Sequence, residues 1–230
     1  MNLNSSPRAI LFDLDGTLAD TAPDLAAAIN KLRTVRGLEP TPYEVLRPQA
    51  SHGARGMIGV SFGLTPQDEG FEELRLGFFD NYEAAMAVHS TLFEGVAELL
   101  SGITGAGLLW GIVTNKPARF TDPLVPAIGL SQASCIVSGD TTPHAKPHPA
   151  PLLEAASRIG IAPEHCWYVG DDLRDVQAGR AAGMQTVACQ WGYCGPVEPA
   201  SWNADHLLAS PAELLALILA TVPSPTPLAA

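Results

Sequence analysis

Two aspartates one residue apart, Asp13 and Asp15, directly follow a short apolar run at residues 10–12. In an extended chain alternate side chains share a face, so both carboxylates would lie together while Leu14 points into the core. Gly16 permits a sharp turn there, at the carboxyl end of a strand, where open α/β sheets bind their ligands. Two like charges this close need a counter-cation, which indicates metal-assisted phosphoryl transfer. Taken alone, the motif is equally typical of an acidic turn after a strand.

Three later segments carry further polar groups, each at the end of an apolar run or between prolines. They are Thr114 and Asn115 after residues 110–113, Lys146 in the segment AKPHP, and Asp171, Asp172 and Asp175 after residues 166–170. Each also has a simpler explanation. Lys146 could be an ordinary exposed lysine, and the acids after residue 170 could cap a helix. All of these explanations must hold together to defeat a catalytic interpretation.

With these four motifs in this order, the chain resembles the haloacid dehalogenase superfamily, specifically its phosphatases. The resemblance implies that Asp13 is the nucleophile and forms an aspartyl-phosphate, which divides one difficult displacement into two easier ones. It implies that Asp15 protonates the leaving oxygen and then activates water. It also implies a Mg²⁺ cofactor bound by the Asp13 carboxylate, the Asp15 backbone carbonyl and Asp171, in keeping with the oxygen ligands that Mg²⁺ prefers.

The same resemblance assigns the remaining motif residues. Thr114 and Asn115 would hold phosphate oxygens, and Lys146 would bind phosphate and neutralise the charge that develops during transfer. Thr114 and Lys146 are therefore counted with the catalytic residues. The supporting residues are Thr17, which would steady the Asp13 loop, and Asp172 and Asp175, which would orient metal-bound waters or neighbouring side chains.

The order of the elements places these residues in an α/β fold. Strands alternate with helices, which predicts parallel pairing through helical crossovers. About seventy residues separate the first strand from the next, too many for a simple crossover. We therefore expect a Rossmann-like, doubly wound parallel sheet with an inserted all-helical cap. The core would comprise residues 1–20 and 90–230 and the cap residues 21–89, with hinges near Asp20 and residues 89–92.

Local patterns predict the individual elements. Thr21 and Asp24 have the spacing of a capping box, which predicts a helix that Gly37 ends. Strands are predicted at 10–12, 110–114, 166–170 and 185–188. Helices are predicted at 42–58, 71–86, 95–103, 120–128, 150–159, 175–182 and 211–220, followed by a Pro-rich tail that should fray.

Composition agrees with a cytoplasmic enzyme. The chain has 230 residues, 47% of them hydrophobic, and its 13 Lys and Arg against 24 Asp and Glu give a formal net charge of −11. Such a surface argues against nucleic-acid or membrane partners, so we expect a small-molecule phosphate ester as substrate and a monomer or homodimer. The four cysteines lack paired spacing and should be reduced, although a disulfide between Cys189 and Cys194 is conceivable.

Substrate choice should lie in the cap, because the core contacts only the phosphate. His52 and Arg55 in the segment SHGARGM suit a small acidic or hydroxylated leaving group, although both could equally be solvated. The segment SGDT before Lys146 looks like the phosphoglycolate phosphatases. SHGARGM, with residues 88–95 and 114–120, looks closer to bacterial N-acetylmuramic acid 6-phosphate phosphatases, although His52 departs from the glycine of that group. The expected substrate is 2-phosphoglycolate or N-acetylmuramic acid 6-phosphate.

Other reactions of the superfamily fit less well. Dehalogenases lack the second acid, whereas Asp15 is present here. Phosphonate-cleaving members need a cap lysine, and Lys31 falls on the exposed side of the first cap helix. Sugar-phosphate mutases share all four core motifs, so they stay an alternative, and a non-catalytic phosphate-binding protein is a third. In the cap, we expect Arg55→Ala to raise KM for an acidic substrate more than for p-nitrophenyl phosphate.

Overall fold

A computed structural model describes residues 6–222. Its centre is a six-stranded, wholly parallel sheet in the order β5-β4-β1-β6-β7-β8. The strands are β1 (Ala9–Phe12), β4 (Leu109–Val113), β5 (Ile136–Val137), β6 (Cys166–Gly170), β7 (Gln185–Cys189) and β8 (His206–Leu208). The predicted α/β class with a parallel sheet is confirmed.

Both faces of the sheet are covered, which is why its strands are apolar throughout. On β1, Ile10 and Phe12 join one buried cluster and Ala9 and Leu11 join another on the opposite face. The covering helices are α5 (Val96–Gly105), α6 (Ala118–Ala127), α7 (Ala150–Ile159), α8 (Leu173–Ala181) and α9 (Pro211–Thr221). Because β1 pairs with β4 on one side and β6 on the other, the three predicted motif strands are neighbours.

A helical insertion follows the first strand, as predicted. It contains α1 (Ala22–Thr34), α2 (Tyr43–Leu46), α3 (Gly53–Phe62) and α4 (Phe71–Ala85). It enters through β2 (Ala19–Asp20) and leaves through β3 (Thr91–Leu92), which pair antiparallel as a short ribbon. The helices share one apolar cluster, to which Phe120 and Tyr193 contribute from the sheet side. The proposed domain limits at residues 21 and 89 stay a prediction.

The capping box expected at the start of α1 is wrong. Thr21 occupies the N-cap position, but its hydroxyl makes no capping hydrogen bond. Instead the phenolic oxygen of Tyr193 accepts the Thr21 and Ala22 amides at 2.8 and 2.9 Å. Asp24 points away from the helix end and accepts the amides of residues 88–90. A distant aromatic residue therefore caps this helix and frees Thr21 for another contact.

Other elements differ from the prediction in detail. The single helix expected at 42–58 is divided into α2, a 3₁₀ segment at Arg47–His52 and α3. α1 ends at Thr34, before Gly37, and β5 and β8 were not predicted. All four cysteines are free thiols, so no Cys189–Cys194 disulfide forms. Within residues 6–222 no helix is both long and apolar enough to cross a bilayer. The tail expected to fray lies outside the described residues.

Candidate active site

The turn after β1 fixes the two aspartates at the carboxyl edge of the sheet. The carbonyl oxygen of buried Leu14 accepts the amides of Leu18 and Ala19 at 3.1 and 3.0 Å, which closes the turn. Gly16 has a φ of +87°, and a Cβ atom there would collide with the Asp171 carboxylate. Both the backbone conformation and the space therefore require glycine. Asp13 and Asp15 are 7% and 9% exposed.

Lys146 binds the first aspartate. Its ammonium lies 2.9 Å from Asp13 Oδ1 and 2.7 Å from Asp175 Oδ1, and it donates to the Tyr168 hydroxyl at 2.8 Å. Burial by itself would lower the pKa of Lys146, but the charges of Asp13 and Asp175 outweigh it and raise the pKa. Lys146 is therefore a buried, charged group and not an exposed lysine.

A second buried lysine binds the second aspartate. Lys116 Nζ lies 2.8 Å from Asp15 Oδ1, and the Thr21 hydroxyl donates to the same oxygen. The Lys116 ammonium also sits 4.7 Å from the centre of the Tyr82 ring, which α4 supplies. Burial opposes the charge of Lys116, yet Asp15 and Tyr82 together raise its pKa.

Three carboxylates form a cluster that could hold a cation. Asp13, Asp171 and Asp175 each offer an oxygen, and these atoms lie within 4.8 Å of one another. Burial, with the nearby charges of Asp13 and Asp175, raises the pKa of Asp171 to about 8. Burial also raises the pKa of Asp175, against the opposing charge of Lys146. The charges of these neighbouring carboxylates therefore repel one another and disfavour full ionisation of the cluster.

The charge balance of the site favours a dication. Four buried carboxyl groups, those of Asp13, Asp15, Asp171 and Asp175, face two buried ammonium groups. When all four are ionised, two negative charges are left over, and an uncompensated buried charge is costly. Without a metal ion, a proton on Asp171 relieves part of this cost, which is why its pKa is raised. A divalent metal ion bound by carboxylate oxygens would neutralise both charges, and Mg²⁺ prefers such ligands. The donor set thus fits the expected metal.

Asp171 is held from three sides. Its Oδ1 accepts the Thr17 hydroxyl at 3.1 Å, and its Oδ2 accepts the Tyr193 amide at 2.8 Å and the Ser51 hydroxyl at 3.4 Å. Thr17 thus bonds to Asp171 across the site, and the expectation that it steadies the Asp13 loop stays a prediction. The contact from Ser51 joins the helical insertion to the acidic cluster.

Asp172 and Asp175 begin α8 as a capping box. Asp175 Oδ2 accepts the Asp172 amide at 3.1 Å, while its Oδ1 binds Lys146. One carboxylate therefore caps the helix and also fixes the lysine. Asp172 pairs through both oxygens with Arg174, at 2.7 and 2.8 Å, and Arg174 also donates to the Ser51 carbonyl oxygen at 2.9 Å. Burial raises the pKa of Asp172 less than this guanidinium lowers it.

Thr114 and Asn115 follow β4 and lie beside the aspartates. The Thr114 hydroxyl oxygen accepts the Lys116 amide at 3.1 Å. The side chain of Asn115 makes two hydrogen bonds with the backbone of Lys146, at 2.9 and 3.0 Å. Its amide group therefore positions the lysine segment, and the predicted contact of Asn115 with phosphate stays a prediction.

A cavity of about 260 Å³ opens above these groups. Its polar floor contains predicted site residues, namely Asp13, Asp15, Thr114, Asn115, Lys146, Asp172 and Asp175. Its apolar wall comes from the insertion and α6, namely Leu25, Phe78, Phe79, Tyr82 and Phe120. Such a combination of apolar walls and a few convergent polar groups is typical of small-molecule sites.

Of the two predicted cap residues, only His52 lines the cavity. His52 lines the cavity, with Nε2 4.0 Å from Asp172 Oδ2, and burial followed by the charge of Arg174 lowers its pKa. Arg55 is exposed and does not line this cavity, but lines an adjoining depression that shares His52 and Arg174 with it. The guanidinium that does line the cavity belongs to Arg174.

Sequence patterns missed five residues that shape the site. They are Thr21, Lys116, Tyr168, Arg174 and Tyr193. Lys116 had the clearest signal, because it directly follows Thr114 and Asn115 at the end of a motif strand. Arg174 lies inside the acidic motif. Thr21, Tyr168 and Tyr193 carry no local pattern that distinguishes them from ordinary core residues.

Comparison with known proteins places this geometry among characterised families. The profile of the haloacid dehalogenase-like hydrolases matches residues 10–189. The N-acetylmuramic acid 6-phosphate phosphatase of Pseudomonas putida is 44% identical over 213 residues, covering 92% of this chain and 96% of that protein. The phosphoglycolate phosphatase of Xanthomonas campestris pv. campestris is 46% identical over 210 residues, covering 90% of this chain and 95% of that protein.

Solved structures show the same architecture. A crystal structure described as a predicted phosphoglycolate phosphatase from Haemophilus somnus superposes with a TM-score of 0.82 at 26% identity. The superposition covers 93% of this chain and 98% of that one. Since relatives named for two different substrates are similar to this chain to nearly the same degree, overall identity does not select between them.

Proposed function

The chain belongs to the haloacid dehalogenase-like hydrolase family and is a phosphatase, and from that premise we propose that it cleaves the phosphate monoester of a small acidic metabolite through an aspartyl-phosphate on Asp13. One observation carries the proposal. Asp13 lies on the floor of a deep cavity, between Lys146 at 2.9 Å and a cluster of carboxylates with surplus negative charge. That arrangement suits an anionic nucleophile, a metal ion and a phosphoryl group in one place.

We propose Mg²⁺ as the cofactor. Asp13 and Asp171 would hold it with their carboxylates and Asp15 with its backbone carbonyl. Asp175, the third member of the acidic cluster, already bonds to Lys146 and to the Asp172 amide. Asp175 would therefore lie beside the metal ion and position Lys146 without being a metal ligand. When bound, the ion supplies positive charge that offsets the charge of the phosphoryl group.

The side chains divide the chemistry between them. A carboxylate oxygen of Asp13 attacks phosphorus as the ester bond breaks, and Asp15 gives a proton to the departing alcohol oxygen. Lys146 stabilises the equatorial oxygens, and the Thr114 hydroxyl contacts one of them. Asp15 then takes a proton from the water that attacks the aspartyl-phosphate, which returns Asp13 and releases inorganic phosphate.

The cavity wall favours the larger of the two expected substrates. Five large apolar side chains line it, three of them from α4. The glycolate of 2-phosphoglycolate has two carbons and no methyl group to pack there. N-acetylmuramic acid carries an acetyl methyl, a lactyl methyl and a carboxylate, and that carboxylate could meet Arg174 at the cavity edge. We therefore propose N-acetylmuramic acid 6-phosphate as the better substrate.

Phosphate release tests this function. Wild type and Asp13→Asn are assayed with 2-phosphoglycolate, N-acetylmuramic acid 6-phosphate and β-glucose 1-phosphate, with Mg²⁺ or with a chelator. We expect Mg²⁺-dependent release by wild type only, with the highest kcat/KM for N-acetylmuramic acid 6-phosphate. A preference for 2-phosphoglycolate would overturn the substrate assignment alone. Conversion of glucose 1-phosphate to glucose 6-phosphate without release would show a mutase, and activity in Asp13→Asn would refute the nucleophile.

A further inference from the structure

The active site contains a second buried lysine, Lys116, besides the Lys146 that is proposed to bind phosphate. Lys146 already contacts Asp13. The side chain of Lys116 is 6% exposed and makes its ion pair with Asp15, which the proposed reaction uses for proton transfer. Burying an ammonium group is costly unless it is paired. The ion pair with Asp15 offsets this cost, which indicates that the position of Lys116 is linked to the role of Asp15.

The contacts at Asp15 are asymmetric. Oδ1 receives both cationic and neutral donors, the Lys116 ammonium at 2.8 Å and the Thr21 hydroxyl. Oδ2 bonds to no residue that the structure describes. Asp15 lines the cavity, and its side chain retains 13% exposure. Two donors on one oxygen fix the rotation of the carboxylate and leave the other oxygen for the substrate.

The insertion closes over this pair. The Tyr82 ring lies 4.7 Å from Lys116 Nζ, and Tyr82 is 1% exposed. Phe120 packs edge-on against Tyr82 at 5.3 Å, and the Phe78 ring stacks parallel to Tyr82 at 6.3 Å. An ammonium near an aromatic face is stabilised by the ring, more strongly where water is excluded. Thus α4 provides the roof under which Lys116 stays charged and directed at Asp15.

We propose that Lys116 is a positioning residue for Asp15: with Thr21 it holds Oδ1, so that Oδ2 faces the substrate as the oxygen that carries the proton. This inference rests on the proposed function. In the first step the proton on Oδ2 passes to the ester oxygen as the P–O bond breaks and the Asp13–phosphorus bond forms. In the second step Oδ2 accepts a proton from the attacking water.

The dependence on leaving group separates this role from others. An alkoxide is a poor leaving group and needs the proton, whereas p-nitrophenolate leaves without one. The parameter kcat/KM covers the steps up to departure of the leaving group. We therefore expect Lys116→Met to reduce kcat/KM for a sugar phosphate by about 100-fold or more, within the usual range for general acid catalysis, and for p-nitrophenyl phosphate far less.

A direct phosphate contact is the main rival explanation, and product inhibition tests it. If Lys116 only positions Asp15, the inhibition constant for inorganic phosphate stays within about twofold in Lys116→Met. A charged hydrogen bond to phosphate is worth about 1.5–3 kcal/mol, so its loss would weaken inhibition by about tenfold or more. Such weakening, or an equal loss of kcat/KM for both substrates, would overturn the proposal.

Two further variants keep the test meaningful if Lys116→Met folds poorly. Thr21→Val removes the other donor to Oδ1 without removing a charge, and we expect the same selective loss for the sugar phosphate. Lys116→Arg keeps the charge and should recover part of that loss. Equal losses for both substrates in Thr21→Val, or no recovery in Lys116→Arg, would count against positioning. Lys31→Met, an exposed lysine on α1, is the matched control.

Failure of this inference differs from failure of the proposed function. If wild type releases no phosphate from the sugar phosphate, the proposed function has failed. If wild type is active and Asp13→Asn is inactive, but Lys116→Met acts on both substrates alike, only the role of Lys116 has failed.

Discussion

Asp13 and Asp15 are each paired with a buried lysine. Lys146 lies against Asp13 and Lys116 against Asp15, at 2.9 and 2.8 Å. Removing one member of such a pair leaves a buried charge without a partner, which typically costs about 3–5 kcal/mol. Substitutions here therefore change stability as well as rate, and each variant needs an unfolding measurement beside its kinetics.

Gly16→Ala should destabilise the protein strongly. A φ of +87° costs a side chain about 1–2 kcal/mol, and the Cβ would press into the Asp171 carboxylate, which adds a packing cost of about 1–3 kcal/mol. The midpoint temperature of thermal unfolding should fall by about 5–15 °C in a domain of this size. Gly37→Ala is the control, because Gly37 has a φ of +71° but no atom within 4 Å. Equal shifts in the two variants would mean that the collision is relieved at little cost.

Arg174→Ala should impair an acidic substrate more than a neutral one. Arg174 lines the cavity beside His52, whereas Arg55 is exposed outside it. Loss of a charged hydrogen bond to a substrate carboxylate would raise KM by about 10- to 100-fold. KM for p-nitrophenyl phosphate should change little. Arg55→Ala serves as the control and should leave both values unchanged, which reverses our expectation from the sequence. A large effect of Arg55→Ala would show that the substrate reaches the adjoining depression, which shares His52 and Arg174 with the cavity.

At the scale of single residues, sequence was informative where side chains lie directly at strand ends. Asp13, Thr114 and Asp171 could be grouped because adjacent parallel strands end at one edge. Arg55 could not be placed, because its direction depends on where α3 begins. Lys116 was not predicted, because no feature of its own segment pairs it with Asp15, which lies 101 residues away in the chain.

The helical insertion is tied to the core where its two ends meet. The buried carboxylate of Asp24, near the start of α1, accepts the amides of Val88, His89 and Ser90 at 3.1, 3.0 and 2.9 Å. It also accepts the Ser90 hydroxyl at 2.6 Å. Together with the ribbon of β2 and β3, this joins the entering and leaving segments into one connection.

Asp24→Asn should loosen this connection. An amide oxygen accepts more weakly than a carboxylate, and the new NH₂ group would face donors from residues 88–90. We expect a loss of about 1–3 kcal/mol and faster amide hydrogen exchange at residues 88–90. Hydrogen exchange with mass spectrometry measures the change, and Asp80→Asn, at an exposed position on α4, is the control. Unchanged exchange at these amides would show that Asp24 is dispensable for the connection.

Elements were predicted best where the chain has a long regular pattern. The strand at 166–170 and the helix at 150–159 match the structure to the residue. β5 has two residues and β8 three, so neither is long enough to show a pattern. The helix expected at 42–58 breaks because Pro48 opens a 3₁₀ segment and Gly53 has a φ of +53°.

For the molecule as a whole, the acidic cluster makes stability depend on pH. The pKa of Asp171 is about 8 in the folded protein without metal, and about 3.9 in an unfolded chain. Between these values the folded state holds a proton that the unfolded state has released, so this contribution to stability falls as pH rises. Below about pH 4 both states are protonated, and the contribution is fully present.

We therefore expect the metal-free protein to unfold at a lower temperature at pH 8 than at pH 6. A saturating divalent metal should raise the unfolding temperature most at pH 8, since it replaces the proton; at a hundred times its dissociation constant it adds about 2.7 kcal/mol. Calorimetry of wild type and Asp171→Asn with a chelator tests this. If the variant retains the full pH dependence, another group is responsible.

The roof over Asp13 also sets a limit on molecular size. The aspartate is 7% exposed, and the cavity above it is lined by side chains from α4 and by the segment around His52. A phosphorylated side chain that projects only a little way from a protein surface would have to displace part of this roof to reach Asp13. We therefore expect free phosphorylated metabolites to react far faster than phosphoproteins, and comparable phosphate release from a phosphorylated protein would contradict this consequence of the proposed function.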